Sequence, residues 1–491
     1  MWSNHRAMTA ELSRQAFVRG ALGVAASAVL GSCASPPRPG APAAPAPSTT
    51  APPRWADLGD LAVLPSNPAY PTAKTVFNTR FADSTPVAIV TCASVADVRR
   101  ALAFAAANDI RVTARSGGHS YVGASTASGT MVLDLRGLRG PVTVGDDGVA
   151  TVPAASDIAS VQAALGPRGR SIPTGSCPSV GLAGLALGGG LGADARGHGL
   201  TCDAMTSATV VLPGGDVVTA SADDHADLFW TLRGGGANAG VVTSFGFTTF
   251  PTVDRDVVTL VFDADATAEV LVGWHDWLTA ADRDVWGMVN VTVGPDPARC
   301  SVVLATPSGA GPALADAVVA AIGTPESNRT VRTFDHPAFV AYFGGGSDAV
   351  RPRAFVAGTD VVSRMTPAAA AALVAATSAW PRDLVPATMV VESLSGAIQD
   401  VAPDASAFPW RRHAASVQWY VETPTAPLVD AAEGWLTAAH GALGEQSAGG
   451  YVNYLEQSAP PQRYFGDNTA RLRAVRQRYD PMGRMATSPP W

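Results

Sequence analysis

The sequence has little of several things that mark particular classes of protein. Charged residues make up 15% of the 491 residues, against about 25% in an ordinary domain. Lysine is nearly absent, since Lys74 is the single lysine among 34 basic residues, and no stretch gathers these residues into a basic patch. Nucleic-acid binding depends on such patches, and the net charge is −7. Nucleic acid is therefore excluded as a main partner.

Cysteines and long apolar runs are also scarce. The five cysteines include no C-x-x-C pair and have no histidines at zinc spacing, so we expect no metal site. No apolar run reaches the length of about 20 residues that a membrane-spanning helix needs. The chain is nevertheless 47% hydrophobic and can bury large cores. Its length predicts two packed domains.

The N-terminal segment predicts export. Three arginines precede an apolar stretch of about ten residues that ends in Leu-Gly-Ser-Cys, with the cysteine at Cys33. This end resembles a bacterial lipobox, in which Cys33 becomes the lipidated first residue; an ordinary cleavage site with an incidental cysteine is the alternative. We expect a signal peptide over 1–32 and a Pro/Ala-rich tether over 33–69. The protein is then a cell-surface lipoprotein or a secreted protein, and a lipid anchor is its only contact with a membrane.

The remaining chain alternates strands and helices and changes character near residue 250. Before that point, Ser94-Val95-Ala96-Asp97 predicts the capped start of a helix, and Ser156 is expected to cap a helix that runs to Leu165. The strands and helices that the pattern predicts are strands 110–113, 131–135, 287–293, 301–305, 388–391 and 414–421 and helices 313–322, 367–379 and 426–443. The second half is thus typical of a sheet covered by helices.

The strongest chemical signal is a short run that follows the strand predicted over 110–113. Its sequence is Arg115-Ser116-Gly117-Gly118-His119-Ser120-Tyr121. The two glycines let backbone amides turn toward an anion such as a pyrophosphate, and an imidazole follows at once. Taken alone, the run is a polar turn, and a lone histidine is more often structural than catalytic.

A second signal is the glycine-dense segment from Gly175 to Gly192, which carries Cys177 near its start. Such a density of glycine lets the backbone approach a large planar or phosphorylated ligand closely. The segment contains G-x-G-x-x-A from Gly188 to Ala193, so a Rossmann dinucleotide site is an alternative. That pattern is weak here because no clear buried strand precedes it and because it recurs from Gly234.

Five segments, taken in order, resemble the berberine bridge enzyme-like FAD-linked oxidases of the vanillyl-alcohol oxidase superfamily. They are Phe77-Asn78-Thr79-Arg80-Phe81, 115–121, 175–192, 230–243 and Tyr451-Val452-Asn453-Tyr454. The resemblance implies an α+β fold, with a PCMH-type FAD-binding domain of two small α/β subdomains and a substrate domain whose antiparallel sheet is covered by helices. The implied boundaries are 70–252 for the FAD domain, 253–449 for the substrate domain and 450–491 for a C-terminal segment that returns to the FAD domain.

The resemblance also implies a bicovalently bound FAD, attached through His119 and Cys177. A neutral imidazole and a thiolate are nucleophiles, which suits both side chains to this attachment. The other cofactor-binding residues that it implies are Arg115, Ser116, Gly117, Gly118, Ser120, Gly181, Gly184, Gly188, Gly189, Gly240, Val242, Tyr451 and Asn453.

The reaction that the resemblance implies is hydride transfer to flavin N5 while a base removes the proton of the substrate hydroxyl. Tyr454 matches the base, Tyr121 matches a supporting tyrosine, and Gln418 is a weaker candidate for a substrate contact. A phenol has a pKa of about 10, so its neighbours must assist it. Val180 matches a position associated with oxygen access, which favours O2 as the electron acceptor.

We therefore expect an exported FAD oxidase that acts on a hydroxyl of a carbohydrate or secondary metabolite and releases H2O2, a monomer by default. Two alternatives stay open at this point. One is an FAD dehydrogenase that uses a non-oxygen acceptor, and the other is a non-catalytic binding protein that retains the fold.

Overall fold

The structure is a computed structural model that describes residues 53–236, 239–345, 350–457 and 459–486. The predicted signal peptide, Cys33 and the predicted tether as far as residue 52 lie outside these ranges. The rest of the expected tether is folded: Leu58 is buried in the core, and the rings of Trp55 and Phe104 lie 5.0 Å apart. Within these ranges no helix has the length and apolar character of a membrane span.

The helices and strands are numbered in chain order. The strands are β1 (Ala62–Val63), β2 (Ala88–Thr91), β3 (Val112–Arg115), β4 (Met131–Asp134), β5 (Thr143–Val144), β6 (Val149–Pro153), β7 (Arg170–Ser171), β8 (Met205–Val211), β9 (Val217–Ser221), β10 (Val241–Thr248), β11 (Phe250–Pro251), β12 (Arg255–Asp263), β13 (Trp286–Val293), β14 (Arg299–Pro307), β15 (Asn328–Phe334), β16 (Phe355–Val362), β17 (Ala387–Ser393), β18 (Ala415–Glu422) and β19 (Ser447–Gly449). The helices are α1 (Tyr70–Ala73), α2 (Val95–Ala107), α3 (Ile158–Leu165), α4 (Leu182–Leu187), α5 (Ala195–His198), α6 (Ala226–Leu232), α7 (Thr267–Ala280), α8 (Gly311–Ile322), α9 (His336–Phe343), α10 (Pro367–Ser378), α11 (Ala426–Leu443), α12 (Pro461–Phe465) and α13 (Thr469–Tyr479).

Two small sheets organise the first half of the described chain. One has the order β1-β2-β4-β3, in which β2, β4 and β3 are parallel. The other has the order β5-β6-β10-β8-β9 and is antiparallel. One hydrophobic core joins both sheets to α2, α3 and α4. The loop after β3 and the loop before α4 carry the two glycine-rich motifs.

An eight-stranded antiparallel sheet organises the second half, in the order β15-β12-β14-β13-β17-β18-β16-β19. Helices α7, α8, α10 and α11 cover one of its faces, and four buried tryptophans, Trp274, Trp380, Trp419 and Trp435, lie in the core between sheet and helices. The expected antiparallel sheet covered by helices is confirmed. Its other face packs against α9 at β12 and β15, and side chains from β13, β17 and β18 on that face line a cavity.

Local capping explains where several helices begin. The hydroxyl of Ser94 accepts a hydrogen bond from the Asp97 N–H at 3.1 Å, and Thr366 does the same for Ala369 before α10. The prediction that Ser156 caps α3 is wrong. Asp157 is the cap, because its carboxylate accepts the Ser160 N–H at 2.8 Å in a capping box.

Some elements differ from the prediction for identifiable reasons. The strand expected at 110–113 runs from Val112, because Asp109 has a left-handed backbone and the N–H of Ile110 still bonds to the helix carbonyl of Ala105. The prediction did not include β12 or β16. Every residue of β16 is buried, so it lacks the polar–apolar alternation that identifies a strand with one exposed face.

Candidate active site

A cavity of about 570 Å³ lies between the glycine-rich loops and the face of the large sheet opposite α7, α8, α10 and α11. The predicted site residues that line it are Ser116, Gly117, Gly118, His119, Ser120, Tyr121, Cys177, Gly181, Gly184, Gly240, Val242, Gln418, Tyr451, Asn453 and Tyr454. Three of the predicted cofactor-binding residues, Arg115, Gly188 and Gly189, do not line it.

Arg115 lies behind the loop that it begins. Its side chain is fully buried and donates hydrogen bonds to the Asp134 carboxylate at 2.7 Å and to the Ala73 carbonyl at 2.6 Å. Asp134 also binds Arg136, and these contacts hold the pKa of Asp134 low although burial opposes them. Arg115 therefore anchors the start of the loop and does not reach a ligand in the cavity.

Gly188 supports the C-terminal motif. A Cβ atom on Gly188 would lie 2.0 Å from the side-chain oxygen of Asn453. The amide of Asn453 donates to the Leu185 carbonyl at 3.0 Å and to the Tyr451 hydroxyl at 2.8 Å, and this hydroxyl also accepts the Gly190 N–H. Gly188 is therefore needed for the close approach of Asn453. The Tyr-x-Asn-Tyr motif is fixed against the glycine-rich segment by these bonds.

Residues 116–121 and 175–192 form one wall of the cavity, here called the loop wall. His119 and Cys177 meet on this wall. The Nε2 atom of His119 lies 3.0 Å from the Ser179 hydroxyl, and the Cys177 sulfur lies 3.8 Å from the same hydroxyl. The imidazole stacks on Phe77 with ring centroids 4.0 Å apart. Burial lowers the pKa of His119 to about 4, so the ring is neutral at neutral pH and one nitrogen carries a free electron pair.

The same wall is shaped by glycines that bring two loops into backbone contact. A Cβ atom on Gly117 would lie 2.2 Å from the backbone nitrogen of Gly181, and a Cβ atom on Gly181 would be equally close to Gly117. Gly118 adopts a left-handed backbone with φ of 74°. A Cβ atom on Gly184 would meet no protein atom and would project into the cavity. This cradle, with few side chains in it, fits a large flat ligand such as the flavin of FAD.

Three tyrosines and Gln418 of β18 also line the cavity. The rings of Tyr121 and Tyr454 stack at 5.4 Å, and Tyr451 packs edge-on against Tyr454 at 5.0 Å. The Gln418 amide donates a hydrogen bond of 2.5 Å to the Tyr121 hydroxyl. Burial raises the pKa of all three phenols, so they are protonated at neutral pH.

Glu392 is a cavity residue that the sequence reasoning did not single out. It lies near the end of β17, and its Oε2 atom is 3.5 Å from the Tyr454 hydroxyl. Burial raises the pKa of Glu392 to about 7, although the Tyr454 hydroxyl opposes this shift. The sequence carried a signal for Glu392. Thr388, Val390 and Glu392 occupy every second position of one strand and so share a face, and a carboxyl group on the same face as an apolar residue is unusual.

The large sheet forms the other wall of the cavity, here called the sheet wall. The register of its strands determines which side chains lie side by side on this wall. Asn290 on β13 pairs with Val390 on β17, which pairs with Gln418 on β18. The two amides are therefore separated by two strand spacings, roughly 10 Å, with an apolar residue between them. All three residues line the cavity, as does Glu392 two positions from Val390.

Two family models match the chain in the regions that build this site. The model described as an FAD binding domain matches residues 86–221. The model described as berberine and berberine like matches residues 450–483, which include Tyr451, Asn453 and Tyr454. The first match contains both glycine-rich motifs. Together the two matches contain the loops 116–121 and 175–192 and the C-terminal motif.

Similar proteins extend the agreement over most of the chain. An uncharacterised FAD-linked oxidoreductase of Bacillus subtilis is 29% identical over 434 residues, covering 85% of this chain and 94% of that protein. A solved structure of a chitooligosaccharide oxidase is 26% identical with a TM-score of 0.78, covering 86% of this chain and 95% of that one.

A solved structure of the glucooligosaccharide oxidase from Acremonium strictum, described as carrying a 6-S-cysteinyl, 8α-N1-histidyl FAD, is 23% identical with a TM-score of 0.76 and shares the fold; the alignment covers 84% of this chain and 93% of that one. The expected PCMH-type α+β fold is thereby confirmed. In its two matched regions, and over most of its length in the full-length relatives, the chain is similar to berberine bridge enzyme-like FAD-linked oxidoreductases.

Proposed function

We propose that this protein is an FAD-dependent oxidase that carries a bicovalently bound flavin and oxidises a hydroxyl of a carbohydrate or secondary metabolite. The observation that carries the proposal is the position of two pairs of residues on one cavity. His119 and Cys177 approach the same Ser179 hydroxyl on the loop wall, and the Tyr454–Glu392 pair lines the same cavity. Two nucleophiles suited to flavin attachment thus share a cavity with a proton-accepting pair.

The attachment rests on His119 and Cys177. With Nε2 of His119 engaged by Ser179, the Nδ1 atom is the nitrogen left to form a bond. The same two linkage types are named for the glucooligosaccharide oxidase that shares the fold. The chemistry that bound FAD supplies is uptake of hydride from the substrate carbon and return of the electrons to O2 as H2O2. Val180 lines the same cavity, in keeping with O2 as the acceptor.

The proton of the substrate hydroxyl needs an acceptor as the hydride leaves. Tyr454 alone is a poor one, because burial and the nearby carboxylate raise the pKa of its phenol well above the usual value. Glu392 has a pKa of about 7 and is therefore partly ionised at neutral pH. Tyr454 takes the substrate proton while its own proton passes to Glu392, so no phenolate has to persist. The stacked ring of Tyr121 keeps the Tyr454 ring in place.

The sheet wall selects the substrate. The amides of Asn290 and Gln418 offer donors and acceptors on either side of the apolar Val390. A ring that carries several hydroxyls bonds to both amides while its apolar face rests on Val390. Two of the similar proteins are named as oligosaccharide oxidases, which supports a carbohydrate substrate.

Export belongs to the same proposal. An arginine-containing N-terminal region, a short apolar stretch and Cys33 predict a lipidated mature chain that begins at Cys33. Metabolic labelling with a radioactive fatty acid tests this prediction. The natural chain takes up the label, a Cys33→Ala variant does not, and an unlabelled natural chain would contradict lipidation.

The main test is mass spectrometry of the purified protein after denaturation and trypsin digestion. Cleavage after arginine leaves His119 in the peptide 116–136 and Cys177 in the peptide 171–196. We expect both peptides to be joined by one flavin, whereas His119→Ala and Cys177→Ala each leave one peptide linked. Flavin that washes out on denaturation would refute bicovalent attachment. A panel of sugars and alcohols, assayed by H2O2 release, then identifies the substrate; no release with any of them would refute the oxidase activity.

A further inference from the structure

A charged cluster lies on the helix-covered face of the large sheet, opposite the face that forms the sheet wall of the cavity. Its centre is Asp360 on β16, which is fully buried and points to the face opposite that of Phe355, a cavity residue. The Asp360 carboxylate accepts hydrogen bonds from the Trp419 indole at 2.8 Å and from the Ser447 hydroxyl at 2.6 Å. It also lies 2.8 Å from Nδ1 of His440 on α11.

His440 bridges two carboxylates. Its Nε2 atom lies 2.7 Å from Oε2 of Glu456, and its Nδ1 atom faces Asp360. Arg463 is the other cation of the cluster, 3.1 Å from Asp360 and 3.7 Å from Glu456. Two carboxylates and one guanidinium leave one negative charge, which a protonated imidazole cancels. Burial lowers the pKa of His440, but the hydrogen bonds to both carboxylates outweigh it and raise the pKa to about 9.

The cluster is connected to the proposed base through Thr359, by its side-chain hydroxyl and its backbone N–H. The N–H of Tyr451 donates to the Thr359 hydroxyl at 3.3 Å, and the N–H of Thr359 donates to Oε1 of Glu456 at 3.1 Å. Thr359 thus holds both ends of the short turn Val452–Tyr454. Glu456 is two residues after Tyr454, and its second oxygen is held by His440.

We propose that protonated His440 is a positioning residue for Tyr454, because it fixes Glu456 and so holds the turn that presents the Tyr454 hydroxyl to Glu392. This proposal rests on the proposed function, in which Tyr454 takes the substrate proton. His440 is not among the residues that line the cavity, so in this proposal it acts through Glu456 and the turn. The groups that face it are Asp360 from β16 and Glu456 and Arg463 from the C-terminal segment, and Ser447 from β19 donates to the same Asp360.

The proposal predicts a loss of the proton-transfer geometry at high pH. As the pH rises through about 9, His440 loses its proton and the cluster becomes negative. Glu456 then loses a charge-assisted bond, and the turn is held less firmly. The phenols are expected to stay protonated in this range, so they do not account for a decline near pH 9.

Two readouts on the holoenzyme test the proposal with the variant His440→Gln, which keeps a hydrogen-bond donor but carries no charge. The first is hydrogen–deuterium exchange at pH 7, where we expect the amides of 451–456 to exchange about tenfold faster in the variant. The second is the limiting rate of flavin reduction without oxygen between pH 6 and 10. The natural protein declines near pH 9; the variant is about tenfold slower at pH 7 and lacks that decline, with substrate Kd nearly unchanged.

The matched control is His275→Gln. His275 lies on α7, a helix that covers the same sheet, and its ion-pair partner is Asp276, which is not part of this cluster. We expect natural exchange at 451–456 and a natural pH profile from this variant. Natural exchange in His440→Gln, or a slow His440→Gln that keeps the decline near pH 9, would overturn the positioning role. If dithionite reduces the natural flavin but no sugar or alcohol does, the proposed function fails, and the exchange result still decides whether His440 holds the turn.

Discussion

The two walls of the cavity differ in how the sequence encodes them. The loop wall, residues 116–121 and 175–192, depends on backbone contacts such as the one between Gly117 and Gly181, which no other residue allows. The sheet wall, built from strands between 255 and 449, places side chains on a regular lattice that many sequences form. Constraints on the backbone therefore produce a recognisable motif, whereas constraints on side-chain chemistry in a strand produce only an alternation.

The largest effect that tests this comparison is expected on the loop wall. In Gly117→Ala the added methyl group would lie 2.2 Å from the Gly181 nitrogen, so the two loops have to separate. We expect the purified variant to contain no flavin, measured by its absorbance near 450 nm after denaturation. The control is Gly434→Ala on the exposed part of α11, where an added Cβ meets no atom. It should keep full flavin content, because alanine favours a helix; flavin retained by Gly117→Ala would contradict the cradle.

The second largest effect is expected on the sheet wall, from a change at Glu392. Glu392→Gln removes the final proton acceptor but keeps the shape of the side chain. We expect the rate of flavin reduction to fall by about 10²–10⁴-fold, the range for loss of a general base, with flavin content unchanged. The natural protein slows as the pH falls below about 7, since Glu392 becomes protonated, and the variant should lack this dependence.

The control for this variant is Glu422→Gln on the neighbouring strand β18, where the carboxylate is exposed and pairs with Arg353. It should retain the natural rate and pH profile. A Glu392→Gln variant that reduces its flavin at the natural rate would show that Tyr454 passes its proton elsewhere.

The loop wall was largely predictable from the sequence because its residues are consecutive. The predicted segments 115–121, 175–192 and 451–454 do lie around one cavity. The sequence did not indicate which residues of a motif reach the cavity. Arg115 and Gly188 belong to the same motifs but lie behind the loop wall. Arg115 binds Asp134 there, and Gly188 leaves room for Asn453. A motif indicates which residues are needed. Only the fold shows which of them line the cavity and which hold the lining residues in place.

The sheet wall was predictable as a fold but not as a site. Strand β17 was expected at 388–391, and it continues through Glu392 because Glu392 pairs with Met288 on one side and Ser416 on the other. No feature within the strand indicates that Tyr454, 62 positions later, lies against this carboxyl. The pairing of β16 with β18 was also missed, since a strand buried on both faces has no alternation.

A third effect separates stability from activity at Glu392. Its pKa rises from 4.5 to about 7 on folding, so the energetic cost of a buried carboxylate is absent below pH 4.5 and is fully present above pH 7. Glutamine has no such cost. We therefore expect Glu392→Gln to be more stable than the natural protein by about 3 kcal/mol at pH 8.5 and equally stable near pH 4. Thermal unfolding at both pH values measures this difference, and a variant less stable at pH 8.5 would contradict the raised pKa.

The smallest effect concerns substrate choice on the sheet wall. Asn290→Leu removes one of the two amides that flank Val390 and keeps a side chain of similar size. A substrate hydroxyl that bonded to Asn290 then loses its partner, so kcat/KM for an oligosaccharide should fall by about tenfold. For an alcohol with a single hydroxyl, which has no second group to place there, kcat/KM should change little. Asn328→Leu at the exposed start of β15 is the matched control and should affect neither substrate. An equal fall for both substrates in Asn290→Leu would mean that the wall supports the cavity's shape and that Asn290 makes no bond to the sugar.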